Sequence, residues 1–445
     1  MSAATATASA RKTSAGTTSA TAAGSARSRA TSARTTSVRT SDVIVIGAGI
    51  VGCAVAYFAA TAGLSVTVID RDLPASGTSS RCEGNLLVSD KELGPELALT
   101  QYSLGLWTGE LAEFAARWEF EAKGGIIVAS QESSVASLNR VTGAQRSFGI
   151  NAIALDPDQL REYEPHITPA ALGAAYYPED SQVQPMLAAG HLLALAVDRG
   201  AAVVTGAPVT EVVRIGDRVT GVRTPAGDFA AAHVVNAAGT WAPKVAALAH
   251  VDVPVLPRRG FVMVTEPLPP MIGHKVYAAE YIDNVGSSSD GLQASPVVEG
   301  TPAGTILIGS SRERVGFDAT VSTEALGLIA RNAAALFPFL ATTRILRHYH
   351  GFRPYSPDHL PVIGPDPRAP GLWHACGHEG AGIGLSVGTG KLLAQAMTGA
   401  EADLDLTPFA PERFAPGRPA TEPAPAPARE GDPVHLTPAA QEESA

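Results

Sequence analysis

Gly47, Gly49 and Gly52 of the turn GAGIVG, with Asp70 at the end of the apolar run SVTVI, form a set of residues suited to holding a diphosphate and a ribose. Gly47 permits a tight turn, Gly49 lets backbone approach a pyrophosphate with no Cβ in the way, and Gly52 allows a new helix to pack closely on the preceding strand. The helix start offers free N–H groups and a partial positive charge to the phosphates. A carboxylate at Asp70 can accept hydrogen bonds from ribose hydroxyls. The chemistry is recognition of an adenine dinucleotide, and these residues alone leave NAD and FAD both open.

A second constellation lies toward the other end of the chain. In GHEGAGIGLSVGTGK, Gly377, Gly380, Gly382 and Gly384 expose backbone N–H groups at the start of a helix running through Lys391. Such a helix end can stabilise negative charge at the N1 and C2 carbonyl edge of a reduced isoalloxazine. An NAD site needs one glycine turn of this kind, so a late strand, turn and helix returning to the same sheet favours a flavin. Just upstream, RHYHGFRPYSPDHLPVIGP holds Arg353 between Phe352 and Pro354. In that aromatic, conformationally fixed setting a guanidinium can grip a carboxylate with two parallel hydrogen bonds, which lysine cannot reproduce. His348, His350, His359, His374 and His378 crowd the same region at spacings that match no metal motif, so no metal is expected.

The elements that position these residues follow from periodicity. Residues 43–46 are a β-branched run suited to a strand buried on both faces. Residues 71–90, rich in turn formers and small hydroxyls, read as a loop beside the phosphate site. Residues 94–119 have apolar side chains at helical spacing and predict one long amphipathic helix; 124–130 is a strand, 131–148 a polar helix, and Asp156 an N-cap followed by Pro157. From residue 184 a helix precedes four short β-rich runs, the last entering a second small-residue turn at Gly239 before a helix that includes Trp241. Residues 251–345 read mostly as β, with one helix at 324–336.

The chain has 445 residues, more than one hydrophobic core usually holds, and two domains are expected. The pattern predicts an α/β fold: a Rossmann-type dinucleotide domain, discontinuous over 41–90, 175–250 and 346–405, and a second α+β substrate domain on a mainly antiparallel sheet over 91–174 and 251–345. Residues 1–40 are almost wholly small and polar with six basic residues and no acid, and are expected to be a disordered basic extension. Residues 411–445 are Pro and Ala rich and are expected to be a disordered tail. The formal charge of −10 argues against a nucleic-acid partner for the folded part. Three cysteines, Cys53, Cys82 and Cys376, lack metal spacing and a disulfide framework, which fits a reducing, cytoplasmic location. No apolar stretch is long enough to span a bilayer.

Taken together, DVIVIGAGIVG, GFRPYSPDHLPVIG and GHEGAGIGLSVGTGK resemble the D-amino acid oxidase superfamily of FAD enzymes, within it glycine oxidase, sarcosine oxidase β subunits and the bacterial dehydrogenase subunits that act on D-hydroxyproline, opines or glycine. The resemblance spans about residues 42–399 and implies FAD. It places Ile50 and Val51 in the pyrophosphate turn, Asp70 and Arg71 at the ribose, and Ser79 and Ser80 beside the phosphates. It places Gly84, Asn85 and Leu86 against the flavin, Val209 at adenine, and His378, Glu379, Gly380, Ala381, Gly382, Ile383 and Gly384 at the pyrimidine side of the ring. Arg353 matches the family's carboxylate-binding arginine. Monomeric sarcosine oxidases bond flavin covalently through a cysteine where this chain has Gly351, so FAD is expected to be held noncovalently.

The reaction implied is hydride transfer from Cα of a small amino acid (a D-amino acid, glycine, sarcosine or a proline-type secondary amine) to flavin N5, giving an imine that water hydrolyses. No dedicated base is required, because the amine reacts uncharged, and no catalytic residue is named. Oxygen or another acceptor takes the electrons. The alternatives are an FAD-binding subunit of a heteromeric amino acid or opine dehydrogenase, with partner subunits, and a catalytically silent FAD-binding protein. Tyr277 and Tyr281 are candidates to line the substrate pocket. If Asp70 holds the ribose, Asp70→Ala lowers the flavin-to-protein absorbance ratio of the purified protein; a full complement of flavin in that variant removes Asp70 from the assignment.

Overall fold

The computed structural model describes residues 38–414. The basic extension expected over 1–40 and the tail expected over 411–445 lie almost wholly outside the described residues. Where they overlap, the structure corrects both. Arg39 and Thr40 already belong to the first strand, Arg39–Ile46, where they pair with Phe229 and Ala230. Pro411–Phe414 forms a short 3-10 turn, held because Arg413 donates to Asp358 at 2.6 Å and to the Leu360 carbonyl at 2.8 Å.

Two large sheets organise the chain. In the first, the strand order is Val362–Pro365, Leu372–Cys376, Gly227–Asn236, Arg39–Ile46, Val66–Ile69 and Ala202–Val204, with Arg218–Thr224 and Glu211–Ile215 as an antiparallel extension. The four pairings from Leu372–Cys376 through to Ala202–Val204 are parallel, and Val43, Ile44 and Val45 are fully buried, as continuous β-branched runs require when both faces are covered. One covering layer consists of the helices Ile50–Thr61, Pro185–Asp198 and Gly382–Thr398.

The second sheet runs Ile345–Tyr355, Leu256–Thr265, Ile306–Arg312, Gln293–Gly300, Lys275–Ala278, Gly125–Ala129, Gly173–Tyr177 and Ile153–Leu155. It is antiparallel except between Lys275–Ala278 and Gly125–Ala129, and the helix Thr323–Leu336 covers one face. Two strands correct the boundaries expected from sequence. Ile345–Tyr355 pairs along its length with Leu256–Thr265, and Gly173–Tyr177 pairs with Gly125–Ala129, so neither belongs to the dinucleotide sheet. A strand is claimed by its hydrogen-bonding neighbour, which local sequence does not encode.

The helix expected over 94–119 is broken in two. Pro95–Thr108 ends at Gly109, and a 3-10 stretch, Ala112–Trp118, turns back so that Trp107 and Trp118 meet edge to face at 5.5 Å. The N-cap at Asp156 is present as a complete capping box with Gln159.

The helix that starts at the first glycine turn and the helix that ends the fold touch backbone to backbone. A Cβ on Gly390 would lie 2.7 Å from the carbonyl carbon and oxygen of Ala54. Gly390→Ala is therefore expected to destabilise by about 1–3 kcal/mol, lowering the thermal midpoint. Gly190→Ala, at an exposed helical position with nothing within 4 Å, should leave it unchanged or slightly raised. Equal midpoints for the two variants would show that the helices do not depend on this approach.

Candidate active site

The glycine turn is built as its residue types demand. Gly47 has φ +109° and donates to the Ile69 carbonyl at 2.8 Å; a Cβ there would meet Ala237 O at 2.6 Å. A Cβ on Gly52 would stand 1.9 Å from Gly47 O. Gly49 is the N-cap residue of Ile50–Thr61, and the Ile50 N–H donates to Ser79 Oγ at 2.9 Å. Asp70 Oδ2 accepts from the Ala48 N–H at 2.6 Å and Oδ1 from the Asp72 N–H at 2.8 Å, which aims the carboxylate along the mouth of the turn.

One cavity runs from this turn to the second sheet. Gly47, Gly49, Ile50, Val51, Asp70, Arg71, Ser79, Val209 and Gly239 line one end, and Gly84, Asn85, Arg353, His378, Glu379, Gly380, Gly382 and Ile383 the other. Such an extended cleft, with a helix N-terminus and an acid at one end and a second glycine turn at the other, fits a dinucleotide carrying a ring system. Arg71 lies over the Trp241 ring at 4.2 Å, and Trp241 stacks on Phe317 at 5.5 Å, a flat wall beside Asp70. Five expected residues do not line this cavity. Gly52 acts through close packing, Ser80 Oγ donates to the Gly77 carbonyl at 3.0 Å, and Leu86 is buried in a two-residue ladder with Ser181. Ala381 and Gly384 face a small adjoining cavity with Asn85 and Tyr281.

At the far end, two segments distant in sequence are pressed together. Gly84 has φ +90°, and a Cβ there would fall 1.9 Å from Val183 O, while a Cβ on Gly384 would touch Asn85 O and Leu86 Cα at 3.6 Å. The turn Glu379–Ala381 leads into the helix Gly382–Thr398, and Trp107 Nε1 donates to Gly384 O at 3.1 Å. His378 is buried with Nε2 3.0 Å from Thr389 Oγ1; burial pushes its imidazole down to about 3, leaving it neutral. Glu379, at φ +45°, pairs with His359 Nδ1 at 3.0 Å and faces Arg258 Nη1 at 3.7 Å.

Arg353 enters from the second sheet. Its Nη1 donates to Ser311 O at 2.8 Å, its one hydrogen bond among the described residues, and the side chain lines the cavity. Gly260 makes room for it: a Cβ there would lie 2.1 Å from Nη1, and one on Gly380 would lie 3.7 Å from Nε. Burial, with Arg312 nearby, pushes its pKa down. Sequence reasoning missed Gly260, Arg258 and Glu83. The only local signal is the unusual pair Arg258 and Arg259 inside the apolar strand Leu256–Thr265. Arg258 is 1% exposed, donates to Ser287 O at 2.8 Å, and is pushed down to about 10 by burial. Of the two tyrosines expected at the pocket, Tyr281 lines it, whereas Tyr277 is fully buried behind and bonds Ser89. At position 351 a Cβ would come within 2.8 Å of Arg81 Cβ, so a side chain there would have to displace Arg81. Among the described residues no group of His, Cys, Asp and Glu could hold a metal ion.

Known proteins share this construction. A family model described as FAD dependent oxidoreductase matches residues 42–396. Hydrogen cyanide synthase subunit HcnC of Pseudomonas protegens is 30% identical over 375 residues, covering 82% of this chain and 86% of that protein. The crystal structure of glycine oxidase from Geobacillus kaustophilus superposes with a TM-score of 0.76 at 27% identity, over 84% of this chain and 98% of that one. L-proline dehydrogenase from P. horikoshii has the same fold, with a TM-score of 0.78 at 24% identity over 85% of this chain and 98% of that one. The chain belongs to the DAO family of FAD-dependent oxidoreductases, and FAD is its cofactor.

Proposed function

We propose that this protein oxidises a small amino acid, with Arg353 gripping the substrate carboxylate and FAD, when bound, taking the hydride that leaves Cα. The single observation that carries the reading is a half-buried guanidinium anchored through one N–H to Ser311 O and opening onto the cavity beside the second glycine turn. A fixed fork of this kind aligns a carboxylate, and orienting the reacting atoms is worth about 7–11 kcal/mol in favourable cases. Similarity to proteins named glycine oxidase supports an amino-acid donor.

In this reading Gly47, Gly49, Ile50 and Val51 receive the pyrophosphate, Asp70 and Arg71 the ribose, and Val209 the adenine. Asn85 and the turn from His378 to Gly384 bound the flavin ring. Gly384 and Ala381 act from beneath, through the adjoining cavity. Neutral His378 packs the turn against Thr389 without adding charge. The imine product leaves to water and is hydrolysed.

A second reading is that the chain works as one subunit of a heteromeric dehydrogenase, favoured by the name of a relative, a hydrogen cyanide synthase subunit, that covers 82% of this chain. Either form fits a cytoplasmic location: the three cysteines are free, and no described helix is long and apolar enough to cross a membrane.

Anaerobic mixing of the flavin-loaded protein with a panel of D-, L- and N-methyl amino acids is expected to bleach the flavin with at least one of them. Admission of air then separates an oxidase, which yields peroxide, from a dehydrogenase that needs partner chains; no bleaching with any amine would leave only the silent binder. Arg353→Lys should keep its flavin content while kcat/KM falls about 100-fold. Unchanged turnover and affinity would take Arg353 out of the site.

A further inference from the structure

Two carboxylates line the far end of the cavity, and among the described residues only one has cations at ion-pair distance. Glu379 Oε1 lies 3.0 Å from His359 Nδ1, and its Oε2 3.7 Å from Arg258 Nη1. Glu83 also lines the cavity and is only 7% exposed, yet its Oε1 is buried with no hydrogen-bond donor among the described residues. A buried carboxylate without a donor is costly, so its persistence needs a reason. The fold makes a place for it: a Cβ on Gly309 would lie 2.1 Å from Glu83 Oε1. Lys275, the cation that acts on it most strongly, is itself fully buried and committed to an ion pair with Glu299.

The position of Glu83 relative to Arg353 suggests its use. Glu83 rests on Gly309, while Arg353 Nη1 donates to Ser311 O, two residues further along the same strand. A carboxylate and a guanidinium therefore line one cavity, each resting on the same strand, an arrangement complementary to an α-amino acid with its own ammonium and carboxylate.

The groups acting on Glu83 come from three strands: Lys275 from Lys275–Ala278, Arg353 from Ile345–Tyr355 and Arg312 from Ile306–Arg312. Tyr349, Tyr281 and Cys82 beside it are all held neutral by burial. Burial raises the Glu83 carboxyl above its ordinary value, and the three cations act against that.

We propose that Glu83 binds the substrate's ammonium group and takes one proton from it, so that the amine enters the oxidation uncharged; this rests on the reading of the protein as an amino acid oxidoreductase. The step is a single proton transfer. An N–H bond breaks, an O–H bond forms on Glu83, the electron pair stays on nitrogen, and nothing is oxidised or reduced. The freed lone pair then assists departure of hydride from Cα.

Two measurements on the flavin-loaded protein test this. In anaerobic bleaching at neutral pH, Glu83→Gln is expected to be about 100-fold slower than wild type, the usual scale of a positioned proton acceptor. That deficit should close as the pH rises to where the amine loses its own proton, because the free amine no longer needs Glu83. A deficit that persists unchanged at high pH, or none at all, overturns the proposal. The second measurement reads binding alone, from perturbation of flavin absorbance by 2-aminoisobutyrate, which has no Cα hydrogen to lose, and by isobutyrate, which has no amine. Glu83→Gln should weaken the first about tenfold and leave the second unchanged or tighter. Equal changes in both, or no binding of 2-aminoisobutyrate to wild type, count against the ammonium site. If Glu83→Gln does not load flavin, Glu83→Asp serves in both arms, with smaller effects in the same direction. A wild-type protein that binds as expected but bleaches with no amine would sink the oxidation and keep the site; bleaching without the binding difference would do the reverse.

Discussion

The carbonyl oxygen of Gly47 stands 1.9 Å from where a Cβ on residue 52 would be, and the backbone of Ala54 stands 2.7 Å from where one on Gly390 would be. Strand, turn and two helices meet at distances that only bare backbone tolerates. The consequences run the length of the molecule. Because Ile50–Thr61 lies against the strand it follows, its N-terminus opens on the mouth of the turn. Because Gly382–Thr398 lies against Ile50–Thr61, the second glycine turn falls at the other end of the same cleft.

That close packing decides where charge can be placed. The end at the first glycine turn is assembled from backbone dipoles and one acid, Asp70, whose two oxygens are each held by an N–H. The end at Arg353 is assembled largely from side chains of the second sheet, and it is rich in buried charge. The buried Arg258, Arg312 and Lys275 and the half-buried Arg353 stand against Glu83, Glu299 and Glu379. Buried ions without full pairing are a poor way to gain stability, since removing them from water costs more than most pairs return. Their concentration near one end of a cleft is the arrangement by which perturbed ionisable groups mark functional sites.

Gly260 and Gly309 show how the second sheet accommodates this. Each lies where a methyl group would strike a charged side chain, the guanidinium of Arg353 in one case and the carboxylate of Glu83 in the other. Neither glycine belongs to a recognisable turn motif, and each occurs within a strand, where glycine ordinarily weakens pairing. Their meaning appears only when the strand opposite is known.

The amino-acid sequence by itself determined the two glycine turns, the acid at Asp70, the arginine at 353, the capping box at Asp156 and the alternation that makes an α/β fold with a second, mainly antiparallel sheet. These are local matters of backbone freedom, periodicity and spacing, which neighbours in the chain specify. The tertiary structure alone decided that Ile345–Tyr355 joins the second sheet and that the helix expected over 94–119 breaks at Gly109. It also decided that Tyr281 rather than Tyr277 faces the cavity, and that Glu83 and Arg353, 270 residues apart, line it together. Each of these depends on which strand or helix lies alongside, through hydrogen bonds and close contacts between residues far apart in the chain, and no local pattern carries that information.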